Sequence, residues 1–285
     1  MDMDRRSYLE ALGASGAALT LAGCTSTGGS DSGGTTTEST TTGSTTSGTQ
    51  QTQIVAGTAP GFQPFEMMQD GELVGFDVDL LEAVVERADG YTLQRWEQYE
   101  FGSLIQALTT DKIDTIAAGM TITEKRKESI GFTNPYWDAN QALLVREGSS
   151  FQPQSLEDLA GHTVGAQSGT TGESLIQDLI DEGTLKQSNY NAYPKYPLAV
   201  SDLENGNIDV VVIDTPVAET FVDNRDVVVS ATVDTGEQYG FGVRQNDGDL
   251  ESALNSGLQA VRDDGTYADL TEKWFASGGT TTTSE

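Results

Sequence analysis

The sequence predicts an α/β fold of two lobes, each a mostly parallel sheet flanked by helices, joined by a two-strand hinge. Three observations carry this reading. Short Val- and Ile-rich runs alternate with amphipathic stretches at helical spacing from residue 54 to residue 275, the pattern of parallel βαβ units covered on both sheet faces. The pattern occurs twice, because the stretch from Leu104 to Asp114 is echoed from Leu198 to Asp209, each a short helix, a polar turn, then Ile-Asp and a buried strand. The chain also passes between the two regions near residues 145 and 238, and two crossings make a hinge.

Composition bounds the function. The chain has 285 residues, room for one or two domains and a sizeable core. With 44 acidic against 15 basic residues the net charge is −29, which repels phosphate backbones and anionic membranes and argues against a nucleic-acid partner. The acids are spread along the folded region and Lys is scarce, which fits a halophilic source. At about 1 M salt the Debye length falls to ~3 Å and screens the self-repulsion of such a surface.

The N-terminus reads as an address. Asp4-Arg5-Arg6-Ser7-Tyr8-Leu9 precedes a mild apolar run from Ala11 to Ala22, too short to span a bilayer, which ends in Leu21-Ala22-Gly23-Cys24. Residues 1–24 resemble a twin-arginine signal peptide with a lipoprotein cleavage box, so Cys24 is expected to be the lipidated first residue of the mature chain. Cys24 is the only cysteine, which excludes disulfides, Cys–metal sites and Cys nucleophiles. Residues 25–52 are nearly all Ser, Thr, Gly and Gln and read as a flexible tether, and 278–285 read as a tail of the same kind.

The folded part is expected to place 53–144 and 239–277 in the first lobe and 145–238 in the second. Ile54–Thr58 reads as its first strand, followed by a Pro- and Gly-punctuated loop in which Phe62 fits either a ligand-facing aromatic or a core plug. A helix opens at Gly75-Phe76-Asp77-Val78-Asp79, where Asp77 and Asp79 are read as capping and charge-matching residues. A strand over Tyr91–Trp96, a helix from Phe101 and the run Ile113–Ile116 lead to Ala118-Gly119-Met120-Thr121-Ile122-Thr123. This reads as a strand end, a Gly- and Thr-bearing turn, and a helix start capped by Thr123. Arg126 just inside that helix adds a planar fork of donors, so Gly119, Thr121 and Arg126 form a candidate seat for the carboxylate of a small ligand. Lys125 and Lys127 read as a solvated face.

Gly131–Trp137 reads as a turn and Gln141–Arg146 as a strand leaving the first region. In the second region Gln167-Ser168-Gly169-Thr170-Thr171-Gly172 leads from a strand into a helix, and Thr170 and Thr171 fit a plain cap as well as a binding turn. His162, the only histidine, has no partner with which to hold a metal or form a triad. Val210–Ile213 reads as a buried strand ending at Asp214-Thr215-Pro216, where Asp214 is either the N-cap of the next helix or a carboxylate facing a ligand ammonium across the cleft from Arg126. Val227–Val229 and Tyr239–Val243 read as further strands, and two helices close the chain at Trp274-Phe275.

These motifs, in this order from about Ile54 to Phe275, resemble the extracytoplasmic solute-binding proteins of polar amino-acid ABC transporters, family 3. The resemblance rests on Gly75–Leu80, Leu104–Leu108, Ala118–Thr123 with Arg126, Phe132-Thr133 with Pro135-Tyr136, Gln167–Thr171, Asp209 with Asp214–Pro216, and Asp264–Tyr267 with Lys273–Phe275. It implies the type II periplasmic-binding-protein fold and an extracytoplasmic, membrane-anchored monomer that closes on an amino acid and is read by an ABC permease with its ATPase. It implies no cofactor, no metal and no catalysis. It further implies that Arg126 clamps the α-carboxylate with Thr121 and the Thr171 backbone, that Gly119 and Asp214 accept the α-ammonium, and that Phe62 and Phe101 sandwich the side chain. Ala59, Ile213 and Gln167 are uncharged and lean the ligand side chain toward neutral or polar. Two alternatives are a sensory module serving a receptor and a dehydratase on the same fold. The latter is disfavoured because Phe62, Phe101, Ile213 and Gln167 supply no general acid.

Overall fold

The computed structural model describes residues 51–276. The expected signal peptide with Cys24, most of the expected tether and the expected tail lie outside the described residues.

Two five-stranded sheets form the two lobes. In the first, β1 (Thr52–Thr58) pairs in parallel with β4 (Tyr91–Gln98) and β5 (Thr115–Ile116). β12 (Gly242–Arg244) pairs antiparallel with β5 and with β6 (Ile130–Phe132), completing the order β4-β1-β5-β12-β6. In the second, β8 (Val164–Gln167) pairs in parallel with β9 (Tyr190–Tyr193) and β10 (Val210–Asp214). β7 (Trp137–Arg146) pairs antiparallel with β10 and with β11 (Val227–Tyr239), completing the order β11-β7-β10-β8-β9. A hairpin of β2 (Met67–Gln69) and β3 (Glu72–Val74) stands apart. The chain leaves the first sheet through β6 into β7 and returns through β11 into β12, and the β7–β11 pair is the two-strand hinge.

Several elements differ from the sequence reading. Gly131-Phe132 belongs to β6 rather than to a turn, held by pairing with β12 from 110 residues downstream, a contact no local pattern encodes. The runs at 227 and 239 belong mostly to one strand, β11, whose register shifts between Val229 and Ala231 and between Val233 and Glu237. Such bulges break the two-residue alternation that marks a strand in sequence. The internal echo is physical. Asp114 and Asp209 each accept the backbone N–H of a neighbouring strand or its approach, Val55 and Thr163, at 2.8 Å, and each returns its own N–H to the carbonyl of that residue.

Helices α1 (Phe76–Arg87), α7 (Gly248–Asp263) and α8 (Thr266–Phe275) cover the first lobe, and α4 (Thr171–Asp181), α5 (Tyr196–Glu204) and α6 (Thr215–Asn224) cover the second. No described helix is long and apolar enough to cross a membrane. Asp77 and Asp79 stand in the first turn of α1, as charge-matching expects, but neither caps it. Its N-cap is Gly75, with no side-chain cap bond, and Asp79 instead accepts from Lys273 Nζ at 2.6 Å and Trp274 Nε1 at 2.7 Å, pinning α8 onto α1. Gly75 has φ 146°, and a Cβ there would stand 2.0 Å from the Phe65 carbonyl oxygen. Gly75→Ala is therefore expected to lower stability by about 2–4 kcal/mol, read as a shift of the denaturant midpoint with unchanged slope.

Candidate functional site

The carboxyl ends of β1, β5, β8 and β10 converge where the lobes meet, the place where open α/β sheets bind ligands. They enclose a cavity of about 10 Å³ lined by Phe62, Glu66, Phe101, Gly119, Thr121 and Arg126 from the first lobe. From the second lobe come Gln167, Thr170, Thr171 and Asp214, and Ala59, just past β1, also lines it. All nine cleft residues expected from the sequence thus line one space. Ile213, also expected there, packs in the core instead.

Arg126 sits on α3 (Glu124–Lys127), and Thr123 caps it by accepting the Arg126 backbone N–H at 3.2 Å. At four residues α3 is a single turn, so its dipole is slight and the guanidinium itself carries the positive charge. That group is buried; Nη1 donates to the Thr121 carbonyl at 2.6 Å and Nη2 to the Gly169 carbonyl of the other lobe at 3.0 Å. Its carbon lies 5.3 Å from the centre of the Phe101 ring. Burial lowers its pKa, and the charges of Asp214 and Glu237 work against that loss. Two of five N–H donors are used in these bonds, which leaves a charged edge for an anion.

Asp214 occupies the N-cap position of α6 yet makes no side-chain cap bond. Its Oδ1 accepts from Gln141 Nε2 at 3.0 Å, and burial together with the charge of Glu237 raises its pKa to about 8, against the pull of Arg126. The side chain of Asp214 thus lines the cavity and does not cap the helix. Thr170 is a cap, its hydroxyl accepting the Glu173 N–H at 3.2 Å and donating to the Gln167 carbonyl at 2.7 Å. Phe62 takes both of its readings: it lines the cavity and its ring lies 5.7 Å from Phe65 and 5.9 Å from Tyr196. Gly119 is needed where it stands, because at φ 51° a Cβ would lie 2.4 Å from Phe62 Cε1. Among the groups set aside, His162 stacks on Phe151 with its Nδ1 3.6 Å from Asp209.

Of three buried acids at the site, two go unread in the sequence and one, Asp77, reads there only as a helix-start residue. Asp77 is fully buried; its Oδ2 accepts the Gly119 N–H at 2.7 Å and the Tyr136 hydroxyl at 2.6 Å, so it supports the Gly119 turn from behind. Burial raises it to about 7, partly offset by those two bonds. A carboxyl whose pKa is raised on folding holds its proton more tightly when folded. Its contribution is fully present below the unfolded value near 4 and is lost as pH rises through about 7. Asp77→Asn is expected to flatten this slope, improving the variant relative to wild type by on the order of 3 kcal/mol between pH 4 and pH 8, as thermal unfolding in high salt would measure.

Glu66 is the second. It is fully buried and lines the cavity, yet neither carboxylate oxygen has a hydrogen-bond partner, and burial, then the charges of Asp77 and Asp214, push its pKa well up. The loop folds back to put it there, since the Gly61 and Phe62 N–H groups both donate to the Glu66 carbonyl at 3.0 Å. An acid in the loop that leaves the carboxyl end of a first strand, between Phe65 and Met67, was the available signal. Glu237 on the hinge strand is the third, and its Oε2 accepts from the Thr121 and Thr171 hydroxyls.

Comparison with known proteins points the same way. Residues 54–277 match the family model described as bacterial extracellular solute-binding proteins, family 3. The putative ABC transporter arginine-binding protein 2 of Escherichia coli is 36% identical over 225 residues, 76% of this chain and 88% of that one. Among solved structures, an ancestral arginine-binding protein bound to arginine is 35% identical with a TM-score of 0.73, covering 79% of this chain and 99% of its own. A mutant of the ArgBP of T. maritima is 40% identical with a TM-score of 0.73, covering 79% of this chain and 95% of its own.

Proposed function

The chain belongs to family 3 of the bacterial extracellular solute-binding proteins, and from that premise we propose that it binds an amino acid with a cationic side chain, arginine above all, and presents it to an ABC permease. The observation that carries the reading is the charge arrangement of the cavity: Arg126 on one lobe, Asp214 on the other, and the buried, unpartnered carboxyl of Glu66. Arg126 suits an α-carboxylate, Asp214 an α-ammonium, and Glu66 a third, positive group. The similarity to proteins named for arginine supports this choice.

The lean toward a neutral side chain rested on Ala59, Gln167 and Ile213 and did not count Glu66. A buried carboxyl without a partner is costly, and a cation is the partner that recovers most of that cost. The ground for setting aside a dehydratase is withdrawn as well, because Glu66 with its raised pKa is a titratable group lining the cavity. Binding without turnover rests instead on the relatives, which are named as binding proteins.

Access to a 10 Å³ space requires the lobes to part about the β7–β11 hinge, and a ligand touching both lobes favours closure through contacts that the open form lacks. The same proposal anchors the protein outside the membrane through a lipid on Cys24, beyond a twin-arginine leader, as a monomer suited to concentrated salt.

The test is calorimetric titration of the full chain in molar salt with arginine, lysine, histidine, glutamine and the remaining common amino acids. Binding of arginine near 1 μM, about −8 kcal/mol, with lysine and histidine weaker and the ligand recovered unchanged by mass spectrometry, is the expected result. Asp214 stands near pH 8 and Glu66 is raised, so binding a cation draws their protons off. The measured heat should then vary with the buffer's ionisation enthalpy, and affinity should rise between pH 6 and pH 8. Silence across the panel from a folded protein would refute the amino-acid reading.

A further inference from the structure

Glu237 is the buried acid of the hinge. It belongs to the hinge strand β11 and is 8% exposed, and four side-chain donors from four places converge on its carboxylate. Oε2 takes the Thr121 hydroxyl of the first lobe at 2.8 Å and the Thr171 hydroxyl of the second lobe at 2.7 Å. Oε1 takes Gln141 Nε2 of β7 at 3.0 Å and the Thr235 hydroxyl at 3.1 Å. One side chain on the hinge therefore bonds both lobes at once.

The bonds also fix direction. A hydroxyl has one proton and two lone pairs, and a carboxylate has no proton to give. Thr121 and Thr171 must therefore donate to Glu237, and what each presents to the cavity is a lone pair. Gln141 Nε2 lies 3.2 Å from the Thr171 hydroxyl, but its two protons serve Asp214 and Glu237 at 3.0 Å, so the lone pairs of that hydroxyl remain available. An acceptor facing the cavity suits an N–H donor and is wrong for a carboxylate oxygen.

We propose that Glu237 is a positioning residue that bridges the closed lobes from the hinge and turns the Thr121 and Thr171 hydroxyls into acceptors for the ligand's ammonium, leaving the ligand's carboxylate to Arg126. The second half deepens the amino-acid reading and rests on it. The first half stands without a ligand.

The experiment has an arm for each half, on the full chain. In the first, Cys24→Ser carries spin labels at Asp89→Cys in the first lobe and Ser188→Cys in the second, both exposed positions. Interlobe distances are then measured without ligand. Glu237→Ala should shift the distribution to longer distances, and a distribution identical to that of the parent overturns the bridge. In the second, L-arginine and 5-guanidinopentanoate, the same molecule without its α-amino group, are compared by calorimetry. Displacement of L-arginine reads the analogue's weaker affinity. Glu237→Gln should lower L-arginine affinity at least tenfold and leave the analogue within twofold. Equal losses on both, or no loss, overturn the positioning role. A wild-type protein that binds neither ligand overturns the amino-acid reading and with it the ammonium assignment, while the distances still decide the bridge.

Discussion

Replacing Arg126 with alanine is expected to lower amino-acid affinity by about 10²–10³-fold, to the edge of detection for a micromolar ligand. Truncating one partner of a buried, hydrogen-bonded charge pair removes about 2–5 kcal/mol, and each 1.4 kcal/mol is a factor of ten. Arg126 is well placed for an effect at the upper end. Its guanidinium is buried, stacked near Phe101, and fixed by the Thr121 and Gly169 carbonyls, so ligand binding costs little further ordering. Without it the ligand carboxylate would enter a cavity that holds Asp214 and Glu66 with no compensating cation among its lining residues. Arg126→Lys separates charge from geometry: it keeps the positive charge but loses the fork, and should still lose at least tenfold. Titration of both variants with L-arginine checks this, with thermal unfolding as the control for folding, since the Gly169 bond between lobes is lost too. Affinity within threefold of wild type in Arg126→Ala would remove Arg126 from the ligand altogether.

The contrast between Arg126 and Glu66 explains what could be read in the sequence. Arg126 announces itself locally: a basic residue three places past a capping Thr, after a Gly-bearing strand end, is an odd choice for a helix start and asks for an anion. Thr171 and Asp214 sit at strand-to-helix junctions of the same kind, and the βαβ alternation tells which edge of the sheet those junctions share. The nine cleft residues followed from that logic and from the family resemblance. Buried acids carry no such mark. Asp77 looks like a cap because helix starts favour acids, and only the return of the Gly119 turn and Tyr136 makes it a tertiary acceptor. Glu66 looks like a solvated charge in a Pro- and Gly-punctuated loop until the Gly61 and Phe62 bonds turn the loop inward. Glu237 lies just past a bulge in β11, where the alternation that would have assigned it a face is lost. Burial of a single polar side chain is decided by contacts far along the chain, so it is the property that sequence patterns carry least.

Glu66→Gln should separate recognition from stability. The amide keeps the shape and loses the charge, so a ligand guanidinium would give up a charge-assisted, potentially bidentate contact in a buried site, and affinity for L-arginine should fall about 30–100-fold, or 2–3 kcal/mol. L-glutamine has no positive side-chain group to lose a partner, and its affinity should hold or improve, moving the preference by two decades in the ratio. The free protein should respond in the opposite sense. Glu66 is buried beside Asp77 and Asp214 with both oxygens unpaired, an arrangement that disfavours the folded state, and the variant removes it from the like-charge cluster. Its unfolding temperature at pH 8 should therefore stay level or rise, whereas a residue kept only for packing would lower it. The pH dependence supplies the independent check. If Glu66 must ionise to hold the cation, wild-type affinity for L-arginine rises with pH more steeply than that of Glu66→Gln, because the variant has one fewer proton to release. Parallel pH profiles together with an unchanged preference between arginine and glutamine would place the side-chain subsite elsewhere in the cleft and return the ligand to the neutral class that the uncharged Ala59 and Gln167 suggest.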